Sequence, residues 1–456
     1  MLLDEPDGDS HDGRNGATWA ETGDAMQDGP LESRLGAIRG DGSVYANHPP
    51  GLGVIIGVTE AIGEPAAPLR HRTIPILALS ATVVLTFWLL RSLGFSILMS
   101  LVGVAGMAAT PMARAYGSLV DTPMLALPFA AATITALVRT SPDDRRLPWW
   151  GLVIIGIGPL VSWQLLLLNA LLCIALVLDR RRRPQLRGAA VALGAGCAAL
   201  LSWLLWVHEG TAPVLEQFLL RSGLDSEADR GLLDAVDYQL AVLPGLLGAG
   251  ILLIPVAALA PHPLGRVSFS VLVASTAGYL LLTSNGAAQH DYWLYWTLLL
   301  VALGAATAAE GLKRRANDPG FTAVGIIGLV VLPLAMTYAH VSDQERSNRA
   351  GVAAARLLEG TELPQDQDVL WLLADIRPKD PWLDAYVPAA EFLTSEKLRS
   401  IRSRDDDPVV LASTACHVPE AACDALPFTL DDRNLYPDRR FALLRVSDLD
   451  PSGEVG

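Results

Sequence analysis

The sequence predicts an all-α polytopic membrane domain of about ten transmembrane helices, followed by a small soluble α/β domain. Three observations carry that expectation. Residues 73 to 340 hold almost all of the long apolar runs. Of the 456 residues, 51% are hydrophobic and only 18% are charged, where a soluble chain carries about a quarter charged. After residue 341 the apolar runs become short and strand-like, punctuated by Pro and Asp.

The apolar runs fall at 73–90, 94–110, 121–138, 148–160, 163–178, 187–207, 240–260, 266–283, 293–310 and 320–340. The pair 148–160 and 163–178 is short, and it reads equally as one long helix kinked at Pro159. The stretch 51–63, GLGVIIGVTEAIG, is too short and too Gly-rich to span, and is expected to lie at the surface as a helix. Three parts follow: a first loop with its surface helix (1–72), the transmembrane domain (73–340) and the α/β domain (341–456). In the last part the strand-like runs are DVLWLLA at 368–374, PVVLAS at 408–413 and RFALLRV at 440–446, with helical pattern around 388–403.

Basic residues in short loops set the orientation. They cluster as Arg180, Arg181, Arg182, Arg183 and Arg187, as Lys313, Arg314 and Arg315, and as Arg145 and Arg146. Ten spans put all three clusters on the cytoplasmic side of the cell membrane. The loops 1–72, 111–120, 208–239, 284–292 and the end 341–456 then lie outside. Merging 148–178 into one span would reverse everything before it. The chain opens MLLDEPDGDSHDG, with neither a basic start nor an apolar stretch, so no cleavable signal peptide is expected. Met1, Leu2 and Leu3 run straight into the acidic segment like the tail of a span, which leads us to expect an apolar segment upstream.

The net charge of −14 comes mostly from the two polar ends. An acidic face of that kind argues against nucleic acid as a partner. Cys173 and Cys197 lie inside apolar runs as small hydrophobes. Cys416 and Cys423 are either a local disulfide of an oxidising compartment or two free thiols.

Four polar stretches on the outside could carry chemistry, because polar groups of a membrane protein gather at its water interface. The first, DGDSHDGRNGATW at 7–19, packs Asp7, Asp9, His11 and Asp12 together, as a general base or as a solvated acidic loop. The second, VYANHPPG at 44–51, presents His48 before two prolines with Tyr45 close by, either for binding or as a helix-start turn. The third, PMARAYGSLVDTP at 111–123, holds Asp121, a candidate carboxylate or the cap of the next helix. The fourth, SNGAAQHDYWLYW at 284–296, holds His290 and Tyr292 at the start of an aromatic belt. Arg70 and Arg72 stand on the outside against the positive-inside rule. A phosphate would explain them, and so would Glu60 and Glu64.

The order of these pieces resembles the GT-C glycosyltransferases, in the branch of the dolichyl-phosphate-mannose protein mannosyltransferases and the bacterial aminoarabinose transferase of lipid A. HDGRNGATWAETGDAMQDGPLESRLG resembles that family's first outside loop, HPPG its (H/K)PPL motif, and GAAQHDYWLYW a later motif of the form HDYW. The resemblance covers roughly residues 1 to 340. It implies a GT-C-like helical domain. It also implies transfer of a sugar from a polyprenyl-phosphate donor to a glycan, lipid or protein acceptor, with inversion. By resemblance, Asp12 is the catalytic base, with Asp9 the alternate, and Asp121 matches an acidic residue of the second outside loop. His48, Arg72 and Arg70 stand near the lipid phosphate, and His290 and Tyr292 belong to the later motif. Two departures stand out: the expected first span is absent, and the first loop lacks an Asp-Glu pair at a span end. No cofactor is demanded. Histidines and carboxylates near one surface are compatible with a divalent metal, although no spacing requires it. The competing expectations are a lipid or solute transporter, or flippase, and a non-catalytic lipid-binding relative. Transporters concentrate charged or broken helices at mid-membrane, whereas here the polar residues sit in loops.

Overall fold

The protein was analysed as a computed structural model. It describes residues 11–38, 44–62, 68–224, 231–288, 290–315, 320 and 323–335, together with four strands beyond them. The chain divides into two compact units. One comprises residues Met1–Glu21, Ala66–Leu69 and Ser342–Gly456, and the other Thr22–Pro65 and Arg70–Val341.

The first unit contains a four-stranded sheet of β1 (Val369–Leu372), β2 (Glu391–Phe392), β3 (Val409–Ser413) and β4 (Phe441–Arg445). The strand order is β2-β1-β3-β4. β1 runs parallel to both β2 and β3, with Val369 opposite Val409, and β3 pairs antiparallel with β4. Parallel neighbours need a crossover between them. The helical pattern expected around 388–403 is not found at Glu391–Phe392, which pair with β1 as strand β2; the rest of that range lies outside the described residues.

The second unit is built from helices. In chain order they are α1 (His11–Asp28, which begins in the first unit), α2 (Gly51–Ile62), α3 (Pro68–Ser92), α4 (Ile97–Ala108), α5 (Pro111–Ala115), α6 (Thr122–Arg139), α7 (Trp149–Val161) and α8 (Trp163–Leu178). They continue with α9 (Arg183–His208), α10 (Ala212–Arg221), α11 (Leu232–Leu247), α12 (Leu253–Ala257), α13 (Pro263–Leu282), α14 (Ser284–Ala287), α15 (Thr297–Arg315) and α16 (Ala323–Ala335). Among the described residues, five helices are long and apolar enough to cross a membrane. They are His71–Ser92, Thr122–Arg139, Arg183–His208, Leu232–Ala257 and Pro263–Leu282. Every apolar run in the sequence has a helix over it. The shorter ones, α4, α7, α8 and α16, fall below the length of a full crossing.

Local chemistry starts these helices. Ser96, Thr110, Asp121 and Ser162 each cap a helix start with a side-chain oxygen that accepts a backbone N–H. Pro111, Pro123 and Pro263 stand in first turns, where no N–H is needed. At the other ends, arginines from elsewhere in the chain close the exposed carbonyls. Arg182 donates to the carbonyls of Leu137 and Thr140 at 2.9 and 3.0 Å, at the end of α6. Arg34 donates to those of Trp206 and Val207, both at 2.8 Å, at the end of α9. Each brings a positive charge to the negative end of a helix dipole.

The structure decides between one kinked helix and two for 148–178. Ser162 takes an extended conformation (φ −162°, ψ 144°) between α7 and α8, and its hydroxyl accepts from the Gln164 N–H. The chain then folds back, so that the Asn169 amide donates to the Ile155 carbonyl at 3.3 Å. The result is a helical hairpin, with its tip at 162. A single helix kinked at Pro159 would have kept its direction.

Close approach holds the bundle together where side chains are smallest. A Cβ on Gly196 of α9 would collide with the Gly156 carbonyl of α7, and one on Gly304 of α15 with the Leu253 carbonyl of α12. Lipid surroundings give no hydrophobic drive between helices, so such small-residue contacts carry the packing.

Candidate functional site

The hairpin tip gathers the site. Trp163 donates its indole N–H to the Asn47 carbonyl at 3.0 Å, just before the HPPG turn. The next residue, Gln164, only 2% exposed, donates its amide to the Trp293 carbonyl at 3.3 Å and accepts from the Trp296 indole. Two adjacent residues thus tie the HPPG turn and the HDYW segment to one end of the bundle. Gly51 completes the turn: a Cβ there would lie 2.7 Å from the Leu160 carbonyl, so α2 can start against α7 only from a glycine. Leu52 and Ile56 are fully buried, so α2 seats one face inside the protein, while Val58 stays exposed.

His48 joins the third polar stretch directly. Its Nδ1 is 3.2 Å from the Thr122 hydroxyl, which in turn donates to Asp121 Oδ1 at 3.3 Å. Asp121 is 3% exposed and also accepts the Thr122 backbone N–H at 2.5 Å, capping α6. The cap reading of Asp121 is therefore realised, and the same carboxylate also serves the His48 contact. A carboxylate only accepts, so the Thr122 proton goes to Asp121 and the His48 proton lies on Nδ1.

The fourth stretch is held by three elements. Gln239 of α11 donates to the carbonyls of Ala287 and His290 at 2.6 and 2.8 Å. Ser284 and Asn285 donate to the carbonyls of Ser222 and Leu220, at 2.7 and 3.2 Å, on either side of Arg221. His290 stacks on Trp293, with centroids 5.3 Å apart, and Trp293 stacks on Tyr279 at 5.2 Å. Tyr292 lies 5.6 Å from Tyr116 of the third stretch, and its hydroxyl is 3.5 Å from His290 Nδ1. Tyr45 lies 6.2 Å from His48.

Arg221, the last residue of α10, is the cation of this cluster. It acts electrostatically on both His48 and Tyr279, and Asp121 acts on Tyr279 as well. Among the described residues no carboxylate forms an ion pair with Arg221. Burial first, and Arg221 second, push the His48 imidazole down from its usual range to about 3. His48 is therefore neutral at physiological pH.

A stability consequence follows. The unfolded histidine takes up a proton near 6.5, the folded one only near 3, so stability is full above the unfolded value and is lost as pH falls through that window. At pH 5 the loss attributable to His48 is expected to reach about 2 kcal/mol. Melting curves at pH 7 and pH 5 should show a larger drop for the wild type than for His48→Gln. Equal drops would contradict the neutral imidazole.

The remaining expectations divide. Arg72 is 1% exposed near the start of α3. Beside it His71 pairs with Glu60 of α2 at 2.9 Å, both side chains buried, which answers part of why Glu60 is there. Arg70 lies in α3 and Asp12 in α1, with their side chains outside what is described, and Asp9 lies outside the described residues altogether. Among the described residues no three His, Cys, Asp or Glu side chains gather to hold a metal. Sequence reading missed Arg221, Trp163, Gln164 and Gln239. Arg221 carries the signal that singled out Arg70 and Arg72, an arginine in a segment, 208–239, that the sequence analysis expects outside.

The chain is a helical-bundle membrane protein whose polar loops meet at one end, around a part-buried His-Thr-Asp contact, and its fold resembles that of solved GT-C structures. The solved structures it resembles include two enzymes of the GT-C superfamily. ArnT from Cupriavidus metallidurans bound to undecaprenyl phosphate matches with a TM-score of 0.65 at 12% identity, over 98% of this chain and 96% of that one. Archaeal oligosaccharyltransferase AglB from Archaeoglobus fulgidus, in complex with an inhibitory peptide and a dolichol-phosphate, matches with a TM-score of 0.51 at 11% identity, over 93% of this chain and 68% of that one. The same archaeal enzyme in complex with Zn and sulfate matches at 0.50. At such identity the likeness is one of fold. No family model and no curated protein matches the chain.

Proposed function

We propose that this chain is a membrane glycosyltransferase that moves a sugar from a polyprenyl-phosphate donor to an acceptor outside the cytoplasm. The observation that carries the reading is the junction of the HPPG turn, the Asp121 helix start and the HDYW segment around Arg221. Neighbours of the same fold bind undecaprenyl phosphate and dolichol-phosphate. In this reading ten spans put the cluster at the non-cytoplasmic end, with the basic loops on the other side. The sheet-containing end of the chain is read as an extracytoplasmic α/β domain. The acceptor is a glycan, a lipid or a protein.

The acceptor hydroxyl attacks the anomeric carbon from the face opposite the phosphate. The bond from that carbon to the phosphate oxygen breaks, and polyprenyl phosphate leaves with the electron pair. The acceptor proton passes to a carboxylate of the first loop, Asp12, with Asp9 as alternate. Arg221 compensates the charge that grows on the leaving phosphate. Arg72 and Arg70 enter the reading as further phosphate-side cations. His48, being neutral, supplies a hydrogen-bonding group and not a charge, and Asp121 and Thr122 hold it in one tautomer. His290 and Tyr292 close the cluster on the other side. No step is routed through a metal.

The test uses the full chain in lipid nanodiscs, offered a radiolabelled polyprenyl-phosphate sugar with an extract of cell-envelope acceptors. Label is expected to leave the lipid and appear on acceptor, with free polyprenyl phosphate released in equal amount. A nucleotide sugar in its place should give nothing. In sealed vesicles, translocation of the labelled lipid without transfer would instead make the chain a flippase.

A further inference from the structure

A groove of about 630 Å³ lies at the far end of α15, between that helix and the segment that follows α12. It is remote from the His48 cluster. α15 starts next to the HDYW segment at Thr297 and reaches Arg315 about 27 Å further along its axis. Val256 and Leu259 form one wall and Leu312 the other, with Arg314 and Arg315 on the rim.

The chemistry of this groove is divided in two. Val256 belongs to the membrane-length segment Leu232–Ala257, and Leu259 follows it, 74% exposed. With Leu232–Ala257 read as a span, the walls stand at its end, where hydrocarbon gives way to headgroups. The space beside Gly311 on the α15 wall is open: a Cβ there would meet nothing within 4 Å. On the rim, Arg314 is engaged by Glu310 one turn earlier, at 3.0 Å. Arg315 is exposed and has no ion pair among the described residues. An apolar trough at interface depth under an uncompensated cation fits an amphiphile with an apolar tail and an anionic head.

We propose that this groove holds an anionic glycerophospholipid of the surrounding leaflet, its phosphodiester against Arg315 and an acyl chain along Val256, Leu259 and Leu312. The site is independent of the transferase reading, since it lies at the other end of the bundle and uses none of the same residues. Its role is to fix the ends of α12 and α15 relative to the lipid.

The experiment is native mass spectrometry of the full chain, purified in detergent with equal amounts of phosphatidylglycerol and phosphatidylcholine. The protein is expected to retain phosphatidylglycerol in preference, by about fivefold or more for one uncompensated arginine. Arg315→Ala should remove that preference. Gly311→Leu should fill the trough and remove retention of the lipid itself, with helicity unchanged by circular dichroism. Arg181→Ala, an exposed arginine in another basic loop, should change nothing. Equal retention of the two lipids would overturn the proposal, as would an Arg181→Ala loss as large as that of Arg315→Ala. Displacement of phosphatidylglycerol by added polyprenyl phosphate at equal concentration would assign the groove to the carrier instead.

Discussion

Replacing Arg221 by alanine is expected to lower sugar transfer by roughly a hundredfold to a thousandfold, the range for removing one preorganised stabiliser of transition-state charge. Arg221 ends α10, and the carbonyls on both sides of it accept hydrogen bonds from Ser284 and Asn285. Its backbone is therefore fixed while its guanidinium stays without a carboxylate partner among the described residues. A structural arginine of a membrane protein would be expected to have such a partner. The loss should fall on kcat more than on KM, because the phosphate gains charge only as it leaves. Arg221→Lys should keep part of the activity, since a point charge replaces a fork of donors. Melting temperature should barely move, the residue being half-buried at a helix end. An Arg221→Ala protein with wild-type kcat would take the charge-compensating role away from this residue.

Asp12→Asn is expected to cost roughly a hundredfold to ten-thousandfold in kcat, the span for loss of a general base. The amide keeps the size of the side chain but cannot take the acceptor proton. Donor binding should be preserved, so a filter-binding assay with labelled polyprenyl phosphate should give the wild-type affinity. Two companions separate the carboxylates. Asp9→Asn should have a small effect if Asp12 is the base. Asp121→Asn should retain the α6 cap, because asparagine caps as well as aspartate. Its effect should be confined to the His48 contact, and Asp121→Ala should add a stability loss of about 1 kcal/mol. Full activity in Asp12→Asn together with an inert Asp9→Asn would move the base to Asp9.

Much of the helical architecture was legible because its signal is one of composition. An apolar run of 18 or more residues has no soluble alternative, and His71–Ser92 and Arg183–His208 were readable on that basis alone. The helix starts at Asp121 and Pro123 were legible for the same local reason, a cap followed by a proline. The hairpin of α7 and α8 was legible only as one of two readings, separate runs at 148–160 and 163–178 or one helix kinked at Pro159. Pro159 suggested a kink, but the break comes three residues later, at Ser162, whose hydroxyl starts a new helix. A proline and a serine cap send opposite messages there, and only the packing of Asn169 against Ile155 decides between them.

The candidate site was legible in its residue types and illegible in its partnerships. His48, Asp121, His290 and Tyr292 stood out as polar residues in loops between apolar runs. That His48 would be neutral did not, because its charge depends on how deeply other elements bury it and on Arg221, 173 residues further along the chain. Gln164 was invisible inside an apolar helix start. Its importance lies in two contacts to residues more than a hundred positions away.

What the sequence determined by itself was that the chain must live in a membrane, where helices such as α6 start, and which loops are polar. Those properties are set by neighbours within a few positions, through hydrophobic length, proline and capping chemistry. The tertiary structure alone decided which loops meet, which arginine stands at their centre and which histidine loses its charge. Electrostatics and hydrogen bonding act through distances in space, and a folded bundle makes residues neighbours that no spacing along the chain can join.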